Sequence, residues 1–187
     1  FMYQGQEFGT PDPHYDNITD FSDVETWNYY RENLGKMQES ELMEQINYGS
    51  RDNVRRPIAW TGGQNFGFGT GKPWITLHSR GAEVNAEKDA QSEKSVYRFY
   101  KALLKFRKQS RAIRYGSFVD LTEQKGCFVY LRTYGEEEIL VVCNFDRPNE
   151  ICVPAGEYSL VLSNLGHTSR EAGGKYMPFE TAVYVRK

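Results

Sequence analysis

Ser50-Arg51-Asp52-Asn53-Val54-Arg55-Arg56-Pro57-Ile58-Ala59-Trp60 crowds together side chains able to do polar chemistry: three arginines and an aspartate, followed by a proline and a tryptophan. A hydrophobic core has little use for the arginines, and a disordered linker has little use for the Pro and Trp. A charged, stiff, aromatic-flanked loop of this kind lines a polar site. By residue type alone, Arg51 and a carboxylate such as Glu25 are surface charges or members of an ion pair. Other chemistries find less support. His14, His78 and His167 are far apart and none stands near a cysteine, so no metal-ligand spacing is present and no cofactor is implied. The histidines read as exposed side chains. Cys127, Cys143 and Cys152 fall in strand-like apolar runs, and their odd count without short paired spacings reads as free, buried thiols in a reducing, cytoplasmic setting.

The elements that must position such a loop are bounded by size and composition. A chain of 187 residues with 39% hydrophobic and 14% aromatic residues can bury one large core or two small ones. A formal net charge of −2 and the absence of a basic run argue against nucleic acid as a partner. No apolar run approaches the roughly 20 residues that span a bilayer, so no membrane partner is expected.

Residues 1–9 read as one short strand closed by a turn at Gly9-Thr10-Pro11-Asp12-Pro13. A strand that opens with Phe and has no neighbours of its own is expected to be cut from something larger. Residues 10–91 have little periodicity, apart from a helix expected over Leu34 to Tyr48. So long an irregular segment suits a functional excursion beside a site. Ser92 then reads as the N-cap of an amphipathic helix carrying Val96, Phe99, Tyr100, Leu103 and Leu104 at spacings of three and four. Beyond about Tyr115 the pattern changes to short strands: Gly126–Tyr134 and Glu138–Phe145 joined at Gly135-Glu136, then Ile151–Val153, Tyr158–Leu162 and Phe179–Val185. Pro154-Ala155-Gly156 and Ala172-Gly173-Gly174 read as turns. The second strand is apolar at both parities, which suits a central strand of a sandwich. The expected domains are residues 1–112 and 113–187.

Five motifs stand in order along the chain: Tyr3-Gln4-Gly5-Gln6-Glu7-Phe8-Gly9, Asp23-Val24-Glu25-Thr26-Trp27-Asn28-Tyr29, the Ser50–Trp60 stretch, Gly67-Phe68-Gly69-Thr70-Gly71-Lys72-Pro73-Trp74-Ile75, and Val84-Asn85-Ala86-Glu87. Together they resemble the C-terminal part of the α-glucosidases of the α-amylase superfamily, above all the oligo-1,6-glucosidase and dextran glucosidase group. The resemblance implies an α/β plus all-β fold. It would contain the last strand, long loop subdomain and last helix of a (β/α)8 barrel, followed by an antiparallel β-sandwich. It also implies a retaining glycosidase using an Asp nucleophile, a Glu acid and a second Asp. All three carboxylates would lie upstream of Phe1, so no catalytic residue is assigned here, and this chain alone is expected to be inactive. The partners implied are an oligosaccharide substrate and the upstream barrel portion.

Two substrate contacts carry over from the resemblance. Arg51 matches an arginine reaching the cleaved glucose, and Glu25 a glutamate that binds the sugar on the leaving-group side. Asp23, Asp52 and Arg55 are expected to brace the loop by hydrogen bonds, while Trp60, Phe68 and Trp74 pin it to the barrel. The family usually reads Arg-Thr-Pro-Met-Gln-Trp where this chain has Arg55-Arg56-Pro57-Ile58-Ala59-Trp60, and Met-Thr-Asn where it has Thr10-Pro11-Asp12. These departures leave the linkage open. Trehalose-6-phosphate hydrolysis, a sucrose- or maltose-directed activity and a non-catalytic carbohydrate-binding or stabilising module stand as alternatives.

Overall fold

Gly5 and Gly9 adopt φ of 88° and 71°, the left-handed region in which glycine meets no Cβ penalty, and between them Gln6–Phe8 winds into a 3-10 turn. The extended run expected over residues 1–9 is therefore interrupted. Its Tyr3 N–H turns to the Gln6 side chain at 2.8 Å instead of to a neighbouring strand. A strand needs a partner for its ladder, and these residues have none here.

The computed structural model describes residues 1–187 as two compact units, Phe1–Arg98 and Phe99–Lys187. The first holds helices α1 (Val24–Asn33), α2 (Glu39–Gly49) and α3 (Ala86–Gln91). The division falls inside α4 (Val96–Gln109), after which come α5 (Arg111–Tyr115) and seven strands. No helix is long and apolar enough to cross a membrane.

α1 was not expected from the pattern, because it has no apolar stripe: Thr26 is its one buried residue. It forms on its cap instead, with the Asp23 carboxylate accepting from the Thr26 N–H at 3.1 Å. The helix expected over Leu34–Tyr48 starts later, at Glu39, since Gly35 at φ 83° turns the chain between α1 and α2. Leu42, Met43 and Ile46 of α2 then meet Tyr15 and Phe21 in the core of this unit. Ser92 does not start α4; it ends α3, while Asp89 accepts from the Val96 and Tyr97 N–H groups and Ser95 accepts from Arg98. The Asp89 carboxylate and the Ser95 hydroxyl together take the orphan donors that begin α4, and Ser92 takes none of them.

The second unit is an antiparallel sheet in the order β1-β2-β3-β7-β5, with a two-stranded pair β4-β6 over it. The strands are β1 (Ser117–Asp120), β2 (Cys127–Tyr134), β3 (Glu137–Asn144), β4 (Asn149–Ile151), β5 (Tyr158–Ser163), β6 (Gly174–Tyr176) and β7 (Thr181–Arg186). β3 is the middle strand, as its two apolar parities required. Leu140 and Val142 pack with Ile151 and Tyr176 of β4 and β6, while Ile139 and Val141 pack with Ala112 of α5. Each fully buried aliphatic side chain contributes about 1.5–3 kcal/mol. The two-residue turn Gly135-Glu136 closes the β2–β3 hairpin with Tyr134 opposite Glu137.

Two corrections concern side chains. Cys127 is buried and Cys143 partly so, but Cys152 is exposed, because it lies one residue past the end of β4. His78 is buried, not exposed: its Nε2 bonds the Pro11 carbonyl at 2.7 Å and its Nδ1 accepts from the Arg80 N–H. Burial pushes its pKa below the ordinary histidine value.

Candidate functional site

Asp52 is the anchor of the charged loop. Its Oδ2 accepts from the backbone N–H groups of Ser22 at 2.6 Å and Asp23 at 2.8 Å, which fixes the entry to α1 against the loop. Thr26 and Ser50 join the same junction through hydroxyls 2.9 Å apart. Asp23, thus placed, is 4% exposed and its Oδ1 faces two guanidinium groups, Arg51 Nη2 at 2.9 Å and Arg55 Nη1 at 3.1 Å. Burial raises the pKa of Asp23, but the Thr26 N–H and the Arg51 guanidinium outweigh it and hold the carboxyl below the usual Asp value. The bracing expected of Asp23, Asp52 and Arg55 is what their contacts show.

Arg51 makes a second contact. The Nη2 that meets Asp23 also lies 3.2 Å from Glu25 Oε2, in the first turn of α1, and the Arg51 side chain is 48% exposed. The two residues singled out as sugar contacts therefore touch one another. They stand on the wall of a cleft of about 340 Å³, with Asp23, Tyr29, Gln45 and Ser50 among the other lining residues. Three carboxylates (Asp23, Glu25, Asp52) face two guanidinium groups, and every one of the carboxylates has an arginine within 4 Å. Such a set can orient hydroxyls through charge-assisted hydrogen bonds. Each of the three carboxylates is engaged by an arginine, so none stands free as a nucleophile.

Trp60, Phe68 and Trp74 are exposed and do not pin the loop within this unit. Backbone bonds hold it instead: Trp60 and Thr61 both donate to the Phe66 carbonyl, and Asn65 Nδ2 donates to Gly69 and Gly71. The pinning is done by Arg56, which reads in the sequence as one more loop charge. It is buried, with its guanidinium 4.0 Å from the Tyr15 ring centroid and bonded to the carbonyls of Thr76 and Asp20. Burial depresses its pKa. Tyr29 and Gln45 also stand on the cleft wall, although neither residue type marks itself as a sugar contact. Only the four-residue step from Glu25 to Tyr29 on a capped helix could have pointed to the first.

With this geometry in place, comparisons with known proteins are specific. Residues 1–116 match the alpha-amylase catalytic domain family, and residues 119–182 the alpha-amylase C-terminal all-beta domain family. The oligo-1,6-glucosidase of Parageobacillus thermoglucosidasius is 35% identical over 98% of this chain and 34% of its own length. The trehalose-6-phosphate hydrolase of Escherichia coli (strain K12) is 32% identical over 100% of this chain and 35% of its own. Among solved structures, Bacillus licheniformis trehalose-6-phosphate hydrolase superposes with a TM-score of 0.91 at 30% identity, over 100% of this chain and 36% of that one. The chain thus spans about a third of the length of the curated relatives it matches.

Proposed function

The chain belongs to the alpha-amylase family, and from that premise we propose that it is the C-terminal portion of a retaining α-glucosidase that hydrolyses α-1,6 glucosidic bonds of short oligosaccharides. Residues 1–112 serve as part of the barrel and 113–187 as the β-sandwich. The catalytic carboxylates lie upstream, so Arg51 and Glu25 act as binding groups. The Arg51 guanidinium donates to hydroxyls of the glucose being cleaved, and its charge keeps nearby carboxylates ionised. The Glu25 carboxylate accepts from the hydroxyls of the leaving sugar. The observation that carries this reading is Arg51 itself: one nitrogen is tied to Asp23 and Glu25, yet the side chain is 48% exposed and borders the cleft. A second reading, trehalose-6-phosphate hydrolysis, is supported by the likeness to the Bacillus licheniformis structure.

The test is glucose release from isomaltose, trehalose 6-phosphate and p-nitrophenyl α-glucoside by the longest reading frame that contains this chain, and by the chain alone. Activity is expected in the long form only, with Arg51→Ala lowering kcat/KM roughly 10- to 150-fold, the worth of a hydrogen bond to a charged group at about 1.5–3 kcal/mol. Turnover by the chain alone, or none by either, overturns the proposal. A preference for trehalose 6-phosphate selects the second reading.

A further inference from the structure

We propose that Tyr29, Gln45 and Gly49 form an outer sugar position beside Glu25 and Arg51, one that receives the second sugar of the leaving group and so favours oligosaccharides of three units over two. This rests on the reading of Glu25 and Arg51 as sugar contacts. Glu25 and Tyr29 are four residues apart on α1, and Gln45 and Gly49 four apart on α2, so each pair stands on one helix face. All four line the same cleft.

The chemistry of this wall differs from that of the inner one. The Tyr29 side chain offers a flat apolar ring with a polar edge, and the residue is 41% exposed. Its hydroxyl donates to Gln45 Oε1 at 2.5 Å, which ties the ring of α1 to α2. With its carbonyl engaged by Tyr29, Gln45 keeps its amide N–H donors on the cleft wall. A ring to stack on, amide donors beside it, and a carboxylate one helical turn away are the groups that recognise the apolar face and the hydroxyl rim of a pyranose.

Gly49 completes the position by leaving space. A Cβ built there meets no atom within 4 Å, and its backbone does not require glycine. Neither packing nor strain explains the residue, while the cleft it borders stays open without a side chain. If the Tyr29–Gln45 bond served only to staple α1 to α2, losing it would weaken the enzyme on every substrate alike.

That difference sets the experiment, in the full-length protein containing this chain. kcat/KM is measured for isomaltotriose and for isomaltose on the same preparation, so that any loss of folded enzyme cancels in their ratio. Tyr29→Ala is expected to lower the ratio about 3- to 10-fold, through KM for the longer substrate. Tyr29→Phe keeps the ring and retains most of it. Gly49→Leu, which fills the cleft without removing a contact, lowers it as well. An unchanged ratio in both Tyr29→Ala and Gly49→Leu overturns the outer position, and an Arg51→Ala defect that persists shows that the inner reading survives. If Arg51→Ala is also without effect, the site reading falls and the outer position with it.

Discussion

Asp23 in the first unit and Glu180 in the second are both buried carboxylates facing arginine, and they differ in how the arginine is surrounded. Glu180 is 0% exposed; its Oε2 accepts from the Met177 N–H at 2.8 Å and its Oε1 lies 3.2 Å from Arg170. Arg170 in turn is spent on the protein: it lies 3.9 Å over the Tyr176 ring and donates to the Lys175 carbonyl at 2.6 Å. Asp23 instead has two arginines, each 42% or more exposed, and one of them opens onto a cleft. An ion pair whose cation is enclosed is internal structure. An ion pair whose cation is half in solvent and borders a cleft still has donors to offer a ligand, whereas a cation away from the cleft, such as Arg55, serves as a brace.

The comparison is broken most directly at Arg170. Arg170→Ala leaves Glu180 buried without its nearest cation, because His167 at 3.4 Å is charged only when protonated. The expected loss is about 3–5 kcal/mol of stability in the second unit, read from urea unfolding or from hydrogen exchange in β7. A loss under about 1 kcal/mol would mean that water reaches Glu180 and that the two pairs are alike. Arg51→Ala is the matching change in the first unit. Arg55 still holds Asp23 at 3.1 Å and the removed charge was half solvated, so stability should fall by about 1 kcal/mol or less while the activity defect proposed above is large. A stability loss as great as that of Arg170→Ala would make Arg51 a structural residue.

What the sequence disclosed follows the same division. β3 was legible because Ile139 and Val141 alternate with Leu140 and Val142, and a strand apolar at both parities has one place to go. β6 reads as a turn in the sequence, because Gly173 and Gly174 mask a three-residue strand whose pairing is set by β4 far along the chain. α1 escaped the periodicity because a cap at Asp23, not burial, nucleates it. Arg51 and Glu25 stood out through the motifs around them. Tyr29 and Gln45 did not, since ordinary residue types 16 apart carry no signal until two helices bring them together. Arg56 shows the opposite error: a charge that looks solvated is buried once two aromatic rings and two carbonyls receive it.

The smallest effect sharpens the comparison through pH. Asp23 caps α1, and Glu137 caps α5 from the start of β3, its Oε2 accepting from the Arg111 and Ala112 N–H groups at 3.0 and 2.9 Å. For Glu137, as for Asp23, burial raises the pKa; the Ser110 hydroxyl and those backbone donors outweigh it, and the value lies below the ordinary one. A carboxyl whose folded pKa is depressed stabilises the fold above its unfolded value and stops doing so as pH falls through the folded one. The contribution of Glu137 should therefore begin to fade below about 4.5 and that of Asp23 below about 3.8, the ordinary values of the two groups. Exchange protection of α5 is expected to fall before that of α1 on acidification. Asp23→Asn separates charge from capping, because Asn is as good an N-cap as Asp yet does not titrate. In that variant the acid loss at α1 should disappear while the loss at α5 persists, and Glu137→Gln should do the reverse. An α1 that weakens at the same pH in Asp23→Asn would show that the charge on Asp23 contributes nothing to the helix start, leaving Arg51 and Arg55 as its only reason to be ionised.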